Sequence, residues 1–326
     1  MAINDQSSPA PSPLLAAMPL LRRLGPCLAL AVMFFVVVSI SPGLLRWRAL
    51  NALAFDAAPL LILVIGATLP ILLGTIDLSS AAMATLAAVV AAMLAPTLGS
   101  GCVPVVLAGA AVIGAVQGFL IGWLQIPSFV MTLGSLGLFS GLALYLSGAT
   151  TIGIGPGLAA FDWLAGRTGG VPNAFLTVVG VWLILTLVLR RTRGGRDVYA
   201  FGANQLAAYM SGVHCGRTRA FAFAVSSLCA ALGGLMLLSQ TLYSAPTIAS
   251  NLLLPSLVGV VVGGTAISGG IGGLTGSLVG GLTAVLIRVG ATIAGLPSAM
   301  QDVAFGVIIL IAVAVTTDRG KIGIVK

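Results

Sequence analysis

Glutamate is absent from this chain of 326 residues, which carries only seven aspartates and one histidine. The aspartates are spread out rather than paired, so no two-carboxylate acid–base arrangement is encoded. The sequence contains no G-x-x-x-x-G-K-[ST] loop, no H-E-x-x-H and no Asp-rich cluster, which excludes the usual phosphate cradle and the common zinc hydrolase site. His214 lies in an Arg-rich loop and reads as solvated. The four cysteines, Cys27, Cys102, Cys215 and Cys229, fit neither a disulfide framework nor a metal site. The expectation is a chain with no catalytic residue, no cofactor and no metal. Any energy-consuming work then needs a separate subunit.

Charge is also scarce, at 7% of residues, while 59% are hydrophobic, 43 are glycine and the mean hydropathy is +1.15. That composition is a polytopic, all-α membrane protein in contact with lipid. With about 20 apolar residues per spanning helix, roughly ten spans fit and no soluble domain is left over. They are laid out near 24–42, 51–73, 79–95, 103–123, 127–147, 173–189, 219–241, 252–267, 272–290 and 299–316. Residues 1–20, rich in Pro, Ser and Ala, form a disordered tail; 21–316 are the transmembrane domain; 317–326 are a short second tail. The run Leu24–Ile40 is long and lacks a small-x-small cleavage site, so it is read as a retained span rather than a signal peptide.

A net charge of +8 would suggest nucleic acid in a soluble protein. Here the positive-inside rule accounts for it, and no nucleic-acid partner is expected. With the N-terminus in the cytoplasm, eleven basic residues fall inside. Four fall outside: Arg46, Arg48, Arg167 and Arg288. Both termini and the loop 190–219 are thereby assigned to the cytoplasm.

That loop, RRTRGGRDVYAFGANQLAAYMSGVHCGRTR, holds six of the fifteen basic residues. Its middle has the grammar of a short helix. Gly202 loosens the entry, Asn204 caps, Gln205 to Ser211 form the body, and Gly212 takes the left-handed position after it. Leu206, Tyr209 and Met210 fall at i, i+3 and i+4, giving an apolar face suited to docking.

Thr192–Gly212 resembles the cytoplasmic coupling segment of bacterial ABC importer permeases of the ribose and other monosaccharide type, G-R-x-V-Y-A-x-G-x-N-x-x-A-A-x-x-S-G. Gln205 and Leu206 stand where that family usually has acidic residues. Three further stretches resemble the same family. Leu73–Ala84 (LGTIDLSSAAMA) is similar to G-G-I-D-L-S-V-G, with Thr75, Ser80 and Ala81 as departures. The segment from Pro127 resembles V-P-x-F-x-x-T-L-G. Gly263–Gly272 resembles G-G-T-x-x-S-G-G-x-G, and its Ser268-Gly269-Gly270 is not an ATPase signature. The resemblance implies the membrane permease subunit of an ABC importer for a small carbohydrate, in the bacterial inner membrane. Its implied partners are an ABC ATPase, a solute-binding protein and a second permease subunit, identical or not. It assigns ATPase coupling to Asn204, Gln205, Leu206, Ala207, Ala208, Tyr209, Met210, Ser211 and Gly212.

A substrate path is sought among Asp56, Asp77, Ser128, Phe129, Thr132, Ser135 and Ser268. Asp77 either caps the third span or lines a polar route, and Asp56 either lines that route or snorkels to the outer interface. Ser128, Thr132 and Ser135 recur at helical spacing beside Phe129, as hydroxyls plus a flat apolar surface. Gly134, Gly137 and Gly141 on the same span, and Gly272, Gly276 and Gly280 later, permit close helix contact. Two short patterns repeat: Gly74-Thr75-Ile76-Asp77-Leu78-Ser79 with Gly264-Thr265-Ala266-Ile267-Ser268-Gly269, and Ile126-Pro127-Ser128 with Leu296-Pro297-Ser298. With five spans per half, the second copy is expected upside down. The alternatives are a permease for branched-chain amino acids or nucleosides, an ion-coupled secondary transporter, and a non-transporting membrane scaffold.

Overall fold

The computed structural model describes residues 13–316, with side chains from Leu24 to Leu310 apart from 156–158. The expected tails lie outside the described residues over 1–12 and 317–326. Residues 13–20, expected in the first tail, instead begin α1 (Pro13–Ile40). Their Leu, Ala and Met are good helix formers behind a proline at the first position.

The helices that follow are α2 (Trp47–Leu72), α3 (Ser80–Leu98), α4 (Cys102–Trp123), α5 (Ser128–Leu146), the single turn α6 (Asp162–Ala165) and α7 (Asn173–Arg191). The central polar loop holds α8 (Arg193–Ala203) and α9 (Gln205–Met210). The second half is completed by α10 (Cys215–Thr241), α11 (Leu253–Val262), α12 (Leu274–Ile293) and α13 (Ser298–Thr316). Two residue pairs of strand, Ile152–Gly153 with Tyr243–Ser244 and Arg167–Thr168 with Val171–Pro172, tie down the connections at the end of the bundle away from α8 and α9.

Six stretches among the described residues are long and apolar enough to cross a membrane, and one of them, Ser80–Trp123, turns back at Gly99–Gly101 to give α3 and α4. Three more apolar segments are shorter. This is an all-α membrane fold with helices close to the expected places, although length alone does not give ten full crossings. The clearest departure is α11. A span over 252–267 was expected, but ten helical residues rise only about 15 Å, half a hydrocarbon core.

The reason lies in how α11 ends. Gly264 has φ +83°, its N–H returns to Val261, and the Thr265 N–H returns to Val260. That is a Schellman cap. Gly74 and Thr75 close α2 in the same way, on Ile71 and Pro70. The Gly-Thr repeat is therefore a helix stop used twice. Both stops lie at one end, since the Gly270 N–H donates to the Leu72 carbonyl at 2.9 Å, so this pair is not upside down.

The Pro-Ser pair behaves differently. Gln125 (φ +54°) and Gly295 (φ +77°) each precede the apolar residue, proline and serine that open α5 and α13. The first turn sits beside Leu73–Thr75. The second follows the twenty residues of α12, about 30 Å along the bundle from the Gly272–Gly273 end.

The two central helices are α2 and α10, each 72% buried over its apolar window. Glycines let neighbours approach α10 closely: a Cβ at Gly118 on α4 would collide with the Arg219 backbone, and one at Gly234 with that of Ala84. Gly276 and Gly280 likewise abut Gly263 and Gly259 across α11 and α12. Gly272 does not belong to that stripe. It precedes α12 and packs on Thr265.

Candidate functional site

The geometry that matters is built at the end of the bundle that carries α8 and α9. Thr192 caps α8, its hydroxyl accepting from the Gly195 N–H at 3.2 Å. Gly195, Val198 and Phe201 form the buried face of α8, and their spacing of three keeps them on one side of the helix. Gly202 then sits where any side chain would collide with the Leu72 carbonyl and the Gly270 amide. Its role is close packing against both helix stops, not the loosening of an entry. The Tyr199 hydroxyl donates to the Gly272 carbonyl at 3.3 Å. Burial raises its phenol above the ordinary range, offset in part by Arg190. Sequence reasoning had found only the shorter helix. The signal for α8 was present in the period-three apolar positions between Gly195 and Phe201.

The short helix α9 is capped at both ends. Asn204 Oδ1 accepts from the Ala207 N–H at 3.0 Å. Gly212 has φ +84°, and the Gly212 and Val213 amides return to the Tyr209 and Ala208 carbonyls, a third Schellman closure. Only Ala208 is buried on this helix. Leu206, Tyr209 and Met210 are 71%, 66% and 79% exposed, while Ala207 and Ser211 are exposed beside them. The three large side chains thus form one exposed apolar face on a helix capped at both ends.

Behind these helices lies the polar interior. Asp77 is 1% exposed. One carboxylate oxygen accepts from the Ser79 N–H at 2.9 Å and the Ser79 hydroxyl at 2.6 Å, and the other accepts from the Ser226 hydroxyl of α10 at 2.7 Å. Gln117 of α4 donates to Ser79 at 3.2 Å. Both oxygens are therefore occupied by donors from the chain itself, and irregular backbone at this depth is tolerated because protein surrounds it. Neither Ser226 nor Gln117 had been singled out, although each interrupts an apolar run.

Thr132 is buried, and its hydroxyl donates to the Ile76 carbonyl at 3.2 Å, which sets α5 against the α2–α3 connection. Ser128 is half-buried and Ser135 buried on the same face of α5. Phe129 does not join them. It lies on the outward face and is 55% exposed, because one residue along a helix turns the side chain by about 100°. Ser268 is exposed beside Gly74. Asp56 is exposed on α2, about 24 Å from Leu72 toward the opposite end, by sixteen residues of helical rise. Four of the seven expected path residues thus share one region, Asp77, Ser128, Thr132 and Ser268, with Ser135 a turn away.

A cleft of about 290 Å³ opens here, lined among others by Thr75, Gln125, Pro127, Ser128, Gln205 and Arg219. The Arg219 guanidinium lies 5.0 Å from the centroid of the Phe201 ring and donates to Gln205 Oε1 at 3.1 Å. The cleft is polar and carries one cation, Arg219.

Comparison with known proteins supplies a context for this arrangement. A family profile described as "Branched-chain amino acid transport system / permease component" matches residues 49–313. The ribose import permease protein RbsC of Bacillus subtilis (strain 168) is 33% identical over 310 residues, 92% of this chain and 94% of its own length. That of Escherichia coli (strain K12) is 30% identical over 297 residues, covering 90% and 92%. The autoinducer 2 import system permease protein LsrC of Enterobacter sp. (strain 638) is 32% identical over 298 residues, covering 89% and 84%. No solved structure matches the chain.

Proposed function

The chain belongs to the family of branched-chain amino acid transport system permease components, and from that membership we propose that it is the membrane subunit of an ABC importer for a small carbohydrate. The observation that carries this reading is α9: a doubly capped helix whose Leu206, Tyr209 and Met210 stand unpartnered in water, seated through α8 on the stops of α2 and α11. Such a helix converts movement of a docked ATPase into movement of the bundle. The relatives named for ribose and autoinducer 2 import support a small polar solute. An amino acid would need a free countercharge for its carboxylate, but Arg288 lies toward the far end of α12 and Arg219 of α10, at the cleft, is engaged by Gln205 and Phe201.

The α8–α9 end is the cytoplasmic one in the inner membrane, because it collects the arginines of the central loop. The permease domain runs over 13–316, since α1 begins at Pro13, and the short segments flanking it share the cytoplasmic side. The Pro-Ser turns at opposite ends support two inverted halves of five helices each. Solute enters the cytoplasm past Ser128 and Ser268 at the mouth, while Thr132, with Ser135 buried a turn away, holds α5 against the α2–α3 connection that walls the route. Asp77 fixes the wall of this route through Ser79 and Ser226, and Asp56 marks its far entrance. The outward face of α5, with Phe129, turns toward a second permease subunit, and a solute-binding protein delivers cargo at the far end.

The test is uptake in proteoliposomes containing this chain, its ATPase and its binding protein. Sugar accumulation that requires ATP and not an ion gradient is expected. Accumulation driven by a proton or sodium gradient without ATP would sink the reading in favour of a secondary transporter, and ATP-driven uptake of leucine alone would move the substrate to amino acids.

A further inference from the structure

We propose that Arg219 is a latch between the docking helix α9 and the cytoplasmic mouth of the path, narrowing the cleft while it is held by Gln205 and widening it when that hold is released. The inference rests on the importer reading and adds to it the residue that carries the motion. Three observations converge on this side chain. Its backbone is fixed, because Gly118 of α4 leaves no room between α4 and the α10 backbone at Arg219. Its head spans to the coupling segment, stacking on Phe201 of α8 and donating to Gln205 at the first position of α9. It also lines the cleft opposite Thr75, Gln125 and Ser128, which belong to the end of α2 and the start of α5. The guanidinium therefore joins the docking helices, the central helix α10 and the mouth.

The arrangement is also incomplete in a way a permanent structural pair is not. Arg219 Nε is buried and has no acceptor. A guanidinium presents five N–H donors in a fixed fork, so one that uses a cation–π contact and a single amide bond has donors left for another position. Gln205 is exposed and moves with α9, so displacement of α9 changes the one bond that holds the head.

The experiment uses inside-out membrane vesicles carrying the full chain with Ser128→Cys, in a background with Cys27→Ala and Cys215→Ala. Cys102 and Cys229 are buried and stay in place. A water-soluble thiol reagent reports how open the cleft is. Arg219→Ala should raise the labelling rate about fivefold or more, Gln205→Ala should do the same, and the double variant should add no more than either, because both remove one link. Gln205 is exposed, so its variant tests the link even if Arg219→Ala inserts poorly. Labelling within twofold of the parent in both variants, or effects that multiply in the double variant, would overturn the latch. Labelling that responds as expected in a protein showing no ATP-driven uptake would refute the importer reading while the latch stands.

Discussion

Replacing Leu206, Tyr209 and Met210 together by alanine removes the whole docking face of α9 while leaving both its caps intact. Each side chain keeps between about two-thirds and four-fifths of its surface in water in the free subunit. Full burial of a large apolar side chain is worth about 1.5–3 kcal/mol, so covering the exposed share of each contributes about 1–2 kcal/mol. Three of them supply about 3–6 kcal/mol, which corresponds to roughly 10² to 10⁴ in affinity. The assay is a binding isotherm of the ATPase subunit on the permease in nanodiscs, for the parent, the three single variants and the triple. Each single variant should weaken binding by about 5- to 30-fold. Asn204 and the Gly212 closure lie outside the changed positions, so helix α9 itself should survive, as circular dichroism of the whole protein and trypsin resistance of the loop would show. Because α9, Gln205–Met210, carries no charged side chain, binding should change little between low and moderate salt. Triple-variant affinity within about threefold of the parent, or binding that collapses with salt, would refute an apolar contact at this face.

Three other outcomes are expected. Asp77→Ala orphans the Ser79 and Ser226 hydroxyls and the Ser79 amide in a buried setting, at about 1–3 kcal/mol per group, so the thermal midpoint in detergent should fall sharply and that of Asp77→Asn less. An unchanged midpoint for Asp77→Ala would show that the network does not hold α3 to α10. Gly202→Ala should detach α8 from the stops of α2 and α11, seen as faster proteolysis between Arg193 and Arg217, and normal protection would contradict the packing argument. Tyr199 has its phenol raised by burial. The neutral form is the one the fold favours, so its contribution is fully present below the unfolded value of about pH 10 and is lost as pH rises through the higher folded value. Protection of α8 should weaken in that alkaline range, and Tyr199→Phe should abolish the dependence; an identical alkaline loss in the variant would assign it to another group.

The membrane class, most helix positions and the short capped helix α9 were legible in the sequence because each rests on local physics. Apolar runs of spanning length, a capping asparagine and a glycine placed for positive φ act within a few residues of one another, and α9 follows its grammar from Asn204 to Gly212. What could not be read were properties of two segments at once. The motif Gly-Thr at 74–75 and 264–265 looked like a symmetry-related pair, but a Schellman stop is a local device that recurs wherever a helix must end. Only the Gly270-to-Leu72 hydrogen bond shows that both stops share one end. Gly202 carries no mark in the sequence of the carbonyl and amide pressed against it. Asp77 had two readings from sequence, and packing decided how its oxygens are used by bringing Ser226 from 149 residues away. Arg219 read as one more basic residue in a positive loop until the fold set it between Phe201, Gln205 and the cleft. Such long-range pairings depend on how helices far apart in the chain pack, and hydrophobic pattern fixes which face is buried without fixing what it meets.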